Sequence, residues 1–223
     1  MTRRLTLEWP DAAPFRDRAG ALRLLATSDE ADPTIDDPRN REALGRVDLV
    51  IGCGDLSPDR LCFMADAFRA PVVYVRGNHD RGGPWPTPGH LPPPSQGVDR
   101  ETIEGLPLLG LPWPSPEREP ALHDELAAWR QVLRRAGGSL VAPGRPPLLV
   151  FSHVPPRGAG DTPTDPYHVG FEAYRFLLDR LRPPLWMHGH SSLAAGTTWQ
   201  VRHDGTAVVN VTGTVLVELL PKP

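Results

Sequence analysis

Lysine is nearly missing from this chain: Lys222 is the only one among 223 residues, and the remaining cations are arginine. Lys and Arg together number 24 against 27 Asp and Glu, for a formal net charge of -3 and a pI near 6.2. That balance argues against a nucleic-acid-binding surface, which needs a patch of excess positive charge. Cysteine is scarce too. Cys53 and Cys62 have neither metal-pair spacing nor partners for a disulfide framework, so both read as core residues of a protein kept in a reducing compartment. No apolar run is long enough for a secretory signal or a membrane span, and residues 1–20 mix Arg, Asp, Glu and Pro. The expectation is a soluble, cytoplasmic protein with no membrane partner. Residues 1–20 read as a leader or an added edge strand, and residues 21–223, which show no shift in composition, as a single domain.

What the chain has in abundance is short apolar runs that end in Gly or Ser and then a metal-ligand type of residue. Leu22 to Ser28 runs into Asp29, and Val47 to Gly54 into Asp55. Pro71 to Gly77 leads to Asn78-His79-Asp80, Leu148 to Ser152 to His153, and Leu185 to Gly189 to His190. Any one of these could be an ordinary turn, since Gly, Asn and Asp favour turns for backbone reasons alone. Five together point elsewhere, because the parallel strands of a sheet deliver their C-terminal ends to one rim. Carboxylates, an amide and imidazoles gathered there form a metal-binding constellation.

The order of elements supports an α/β architecture. The first 80 residues alternate β-α-β-α-β, with Asp37 capping a short helix from Pro38 and Ser57-Pro58 opening a second one to about Ala70. Proline-rich Arg81 to Gln96 reads as a surface loop beside the rim, followed by strands near Arg100–Glu104 and Leu106–Leu111. Leu122, Leu126, Trp129 and Leu133 fall at helical spacing within a helix from about Ala121 to Ala136, and that stripe reads as core packing. Gly137 to Pro147 reads as a linker. A further helix carries Phe171, Tyr174, Leu178 and Leu181 on one face. Three strands near Thr198–Arg202, Ala207–Val211 and Thr214–Leu219 then suggest a second, mixed or antiparallel sheet, with Asp204-Gly205 as a hairpin turn.

With these residues set in order, the chain resembles a calcineurin-like metallophosphoesterase over roughly Leu22 to Leu220. The family pattern of DxH, GD, GNHD, an isolated His and GHxH corresponds to Asp29-Glu30-Ala31, Gly54-Asp55, Gly77-Asn78-His79-Asp80, His153 and Gly189-His190-Ser191-Ser192. The resemblance implies a four-layer α/β/β/α sandwich with two central mixed sheets. It also implies a tight divalent transition metal, Mn, Fe, Zn or Co, held by Asp55, Asn78, His153 and His190, a donor set that does not select among them. The other metal of the family retains only Asp29 and Asp55, because Ala31 and Ser192 stand at its two histidine positions. A second ion is therefore expected to be weak or absent, with Glu30 or Asp32 as candidate helpers. A shifted register would make His188-Gly189-His190 the ligand pair; glycine directly before the first ligand favours His190, leaving His188 in the core or behind the ligands.

The same resemblance makes His79 the group that protonates the leaving oxygen or stabilises phosphorane charge, with Asp80 orienting its ring. His168, within Tyr167-His168-Val169-Gly170, reads either as a substrate contact alongside Asn78 and His79 or as helix-start packing. The implied partner is a phosphoester small molecule or nucleotide, hydrolysed by metal-activated water as a phosphodiester or phosphomonoester. The loss of two histidines keeps open a different class: a phosphate- or nucleotide-binding or protein-interaction module on the same fold. Retention of His79 and Asp80, which holding a metal does not need, favours the enzyme.

Overall fold

The computed structural model describes residues 2–80, 91–95, 101–115, 121–141, 146–191, 193 and 198–222, with backbone alone at 101, 121–123 and 135–141. Ser192, His90 and most of the proline-rich 81–96 stretch lie outside the described residues. Along the chain come β1 (Arg3–Trp9), β2 (Leu22–Ser28), α1 (Pro38–Leu44), β3 (Leu49–Cys53), α2 (Pro58–Phe68), β4 (Val72–Val75), β5 (Glu101–Ile103), β6 (Leu106–Leu111) and α3 (Ala121–Val141). Then follow β7 (Leu149–Ser152), α4 (Glu172–Leu181), β8 (Leu185–His188), β9 (Gln200–His203), β10 (Thr206–Asn210) and β11 (Gly213–Pro221).

The strands form two mixed sheets, ordered β1-β11-β2-β3-β4 and β5-β6-β7-β8-β10-β9. In the first, β2, β3 and β4 are parallel while β11 runs antiparallel to β2. In the second, β6, β7, β8 and β10 are parallel and the two edges are antiparallel. Side chains alternate across each strand, so every central strand must be apolar on both faces. Leu22, Leu24 and Ala26 of β2, with Leu49, Ile51 and Cys53 of β3, meet Leu149, Phe151, Leu185 and Met187 between the sheets. The outward residues Leu25 and Val50 pack instead with Leu44, Leu61 and Met64 of α1 and α2. Val150 and Trp186 pack with Ala128, Val132, Tyr174 and Leu178 of α3 and α4. The result is the four-layer α/β/β/α sandwich that the resemblance implies.

Four local outcomes refine the sequence reading. Residues 3–9 form an edge strand pairing in parallel with β11. The three C-terminal strands divide: β9 and β10 complete the second sheet, whereas β11 crosses to the first. Helix α3 continues to Val141, through residues that read as linker. Its core face also differs from the leucine stripe: Leu126 is 53% and Leu133 61% exposed, while Asp124, Ala128, Gln131 and Val132 are buried. Gln131 explains that rotation, because Nε2 donates to the Pro112 carbonyl at 2.8 Å and Oε1 accepts from the Tyr174 hydroxyl at 2.5 Å. Two satisfied buried polar groups hold α3 on this face.

Candidate metal centre

Strands β2, β3 and β4 of one sheet and β7 and β8 of the other end at a common rim. Three residues just past those ends, Asp29, Asp55 and His190, adopt left-handed backbone with φ of 58, 54 and 62°. Asp and His tolerate that region better than branched residues, and it turns the chain sharply enough to aim each side chain back over the sheet. The turns are stitched together. Ser28 Oγ donates to the carbonyls of Cys53 and Gly54 at 2.9 and 3.0 Å, and Asp29 N–H donates to Gly54 O at 3.2 Å. Two glycines permit the approach. A Cβ on Gly54, whose φ is +91°, would sit 2.6 Å from His153 Nδ1, and one on Gly189 would collide with Ser28 Oγ and Asp29 Oδ2.

Asp29, Asp55 and His153 each offer a ligand atom within 4.8 Å of one another. His153 is the pivot. Its Nδ1 lies 2.9 Å from the Cys53 carbonyl, an acceptor, so Nδ1 carries the proton and donates. In the neutral ring Nε2 is then an acceptor, yet it lies 2.8 Å from Asn78 Oδ1 and 3.2 Å from Asp55 Oδ2. Acceptors converging on one point call for a cation. A divalent ion fits there, and without it a proton serves: burial works against charging His153, but hydrogen bonding and attraction to Asp55 outweigh it and raise the imidazole above its ordinary value. The reciprocal effect holds Asp55 low, with contacts to His153 and His79 overcoming the opposing effect of burial.

His190 is prepared in a complementary way. Its Nε2 donates to the Tyr167 carbonyl at 2.8 Å, which fixes the tautomer and leaves the Nδ1 lone pair available. Burial, then the neighbouring His153 and His168, push its pKa down to about 3, so the ring meets a metal without a proton to shed. The backbone N–H of His190 and the Thr212 hydroxyl donate to Asp29 Oδ2 at 3.0 and 3.2 Å.

The structure brings all five expected ligands, Asp29, Asp55, Asn78, His153 and His190, to this rim. His79 is there as well, its backbone N–H on Asp55 Oδ1 at 2.9 Å and its Nε2 3.9 Å from Asp55 Oδ2. Asp80 has a different task from orienting that ring. Its Oδ2 accepts the backbone N–H groups of Asp55 and Gly77, at 2.6 and 3.0 Å, and so clamps the GD turn to the GNHD turn. Burial, the largest influence, raises its carboxyl above the usual range. His168 lines the cavity over the centre and is fixed by Asp165, whose Oδ2 lies 2.6 Å from its Nδ1. Of the candidate helpers, Glu30 lines the cavity, whereas Asp32 Oδ1 caps the turn at Thr34.

Sequence reasoning missed Trp113, Tyr167 and Thr212 as parts of the centre. Trp113 follows the end of β6, a sixth parallel strand end, and that was the available signal. Its ring packs at 5.5 Å from His190 and 6.2 Å from His153, centroid to centroid. Tyr167 and Thr212 contribute through a backbone carbonyl and a hydroxyl from later loops, for which the sequence carries no pattern.

His188 is wholly buried, with Nδ1 2.9 Å from the Gly189 carbonyl and no hydrogen-bond partner for Nε2 among the described residues. Burial pushes its pKa from 6.5 down to about 4. The folded protein therefore refuses a proton that the unfolded chain accepts. The sign follows: this contribution to stability is intact above pH 6.5 and declines toward pH 4, by about 3 kcal/mol over that window. Urea unfolding of metal-free protein should show lower stability at pH 4.5 than at pH 7, with a smaller difference in His188→Gln. An unchanged difference in that variant would assign the acid sensitivity to other groups.

A model of the calcineurin-like phosphoesterase family matches residues 23–192. Among curated proteins none matches the chain in sequence. Among solved structures, a phosphopantetheinyl hydrolase from Mycobacterium tuberculosis superposes with a TM-score of 0.56 at 16% identity, covering 92% of this chain and 98% of that one. A dimetal phosphatase from Danio rerio does so with a TM-score of 0.55 at 15% identity, covering 87% and 88%. At such identities these two likenesses speak to the fold alone.

Proposed function

The chain belongs to the calcineurin-like phosphoesterase family, and from that premise we propose that it hydrolyses a phosphodiester or phosphomonoester with one tightly bound divalent transition metal. Mn, Fe, Zn or Co would be held by Asp55, Asn78, His153 and His190. The observation that carries this reading is the convergence of acceptors around His153 Nε2, an arrangement that a cation satisfies. A second ion near Asp29 is weak or absent, since Ala31 offers no ligand atom. A bound ion supplies Lewis-acid polarisation of a phosphoryl oxygen and a nucleophile usable near neutral pH.

The chain's own residues then bind and orient. Asn78, whose Oδ1 lies 2.8 Å from His153 Nε2, would hold the ion and could also bind a phosphoryl oxygen. His79, mostly exposed beside Asp55, hands a proton to the departing oxygen or stabilises the charge that builds on the phosphoryl group. His168, held by Asp165, contacts the phosphate from the opposite loop. The Asp80 clamp keeps Asp55 and Gly77 in register during these steps.

The test is manganese-dependent hydrolysis of bis-p-nitrophenyl phosphate by metal-stripped protein, with Asn78→Ala as the control for contaminating activity. Activity that rises with manganese and vanishes in the variant supports the reading. The alternative, a module that binds phosphate or nucleotide without turning it over, is favoured by Ala31. It predicts phosphate binding to metal-loaded protein with no activity above Asn78→Ala for any of the four metals.

A further inference from the structure

The four sheet edges are not alike. The outer edge of β4 is met by other parts of the chain: the Ser95 N–H donates to the Tyr74 carbonyl at 2.7 Å, and just beyond the strand the Trp113 N–H donates to the Arg76 carbonyl at 2.8 Å. Strands β5 and β9 are short, with three and four residues. The remaining edge, β1, runs for seven residues in unbroken parallel register with β11, and no proline interrupts it before Pro10. Among the described residues no strand pairs with its outer side. A long, regular edge of this kind invites another strand.

One hydrogen bond fixes which backbone groups face outward. The Trp9 carbonyl accepts the Lys222 N–H at 3.1 Å, on the β11 side. Alternate residues of a strand point their N–H and C=O to opposite edges, so Arg3, Leu5, Leu7 and Trp9 bond to β11, while Arg4, Thr6 and Glu8 turn theirs outward. The side chains of those three residues are exposed, and Leu5, Leu7 and Trp9 are buried between the sheets.

The run Arg4-Leu5-Thr6-Leu7-Glu8 is thereby complementary to itself. An antiparallel copy centred on Thr6 sets Arg4 opposite Glu8, Thr6 opposite Thr6 and Leu5 opposite Leu7. The outward-facing residues then fall at the hydrogen-bonded pairs of the ladder, each exchanging two backbone bonds, and opposite charges and paired threonines are favourable cross-strand neighbours. A shift by two residues breaks the charge pairing, and in one direction it sets Arg4 opposite Pro10, which has no N–H to give. Arg4 gives up only an exposed contact with the Ala43 carbonyl, at 3.3 Å.

We propose that β1 pairs with β1 of a second copy of this chain about a two-fold axis at Thr6, joining two five-stranded sheets into one of ten. A two-fold interface uses the same patch on both partners, which a self-complementary strand supplies. The interface is independent of the reaction at the metal centre. Because one pair of strands buries little area, the dimer is reversible, with a dissociation constant expected in the ~1–30 μM range.

Sedimentation equilibrium of the full chain tests this. At ~100 μM the expected mass approaches twice 24.4 kDa. Thr6→Pro removes an outward N–H and leaves the bonds to β11 in place, so it should weaken the dimer at least about tenfold. Arg4→Glu and Glu8→Arg each place like charges opposite one another twice, and each should weaken it by about as much, whereas the double exchange should restore it. Manganese binding by every variant checks that the fold is kept, and the two charge variants at exposed positions keep the test valid should Thr6→Pro fail to fold. A wild type that stays monomeric at ~100 μM leaves this edge to another protein or to none and overturns the proposal. A dimer indifferent to these substitutions overturns its assignment to β1. Weakening by both single exchanges without recovery in the double exchange overturns the register.

Discussion

His79→Ala is expected to lower turnover of a phosphodiester by ~10²–10⁴, or roughly 3–5 kcal/mol of barrier, while manganese binds as tightly as before. The separation follows from geometry. What ties this residue to Asp55 at hydrogen-bond distance is its backbone N–H, at 2.9 Å, which alanine retains. The imidazole itself is largely exposed, stands 3.9 Å from Asp55 Oδ2 and lines the cavity over the centre. A proton donor matters most when the leaving group is poor, so the loss should be larger for an alkyl ester than for a nitrophenyl ester. Steady-state kinetics on both, beside a manganese titration, make the check. Equal activity of variant and wild type would remove His79 from the mechanism.

His153→Ala is expected to act on the metal and on the fold together. Loss of the ligand should weaken manganese binding by at least about 100-fold, more than substitutions that act through a ligand's partner. In metal-free protein it leaves the Asp55 carboxylate, only 9% exposed, without the imidazole 3.2 Å away. Breaking a buried pair from one side destabilises by about 3–5 kcal/mol. The pH dependence identifies the cause. Asp55 titrates lower than usual and His153 higher, so the pair's contribution is present between those two values. It is lost as pH falls through the first or rises through the second. Melting of wild type and variant in chelator should therefore differ most in mildly acidic buffer and converge toward alkaline pH. A constant difference would point to the cavity left by the ring.

Much of this centre was legible in the sequence because its parts sit at strand ends, and strand ends have a local signature. Asp29, Asp55, Asn78, His153 and His190 each follow an apolar run within a few residues, so parallel pairing within each sheet, with the two sheets stacked face to face, brings them to one rim. What escaped the sequence depends on contacts between distant segments. Adjacency in His79-Asp80 suggested a working pair, yet the turn points the carboxylate at backbone N–H groups of Asp55 and Gly77. In α3 two faces had helical spacing. The leucines are the more apolar, but Gln131 meets Pro112 and Tyr174, and small Ala128 lies buried among the α4 residues. Hydrogen bonds and shape chose the face, and hydropathy could not show it. Strand β11 likewise reads as a neighbour of β10, and its transfer to the other sheet is set by pairing with β2 and β1.

The central claim is that these strand ends build one intact metal site. Calorimetric titration of metal-stripped protein with manganese tests it most directly. The account predicts one tight equivalent per chain, abolished by His153→Ala and unchanged by His79→Ala. Two equivalents of equal affinity, or a tight equivalent that survives loss of His153, would contradict it.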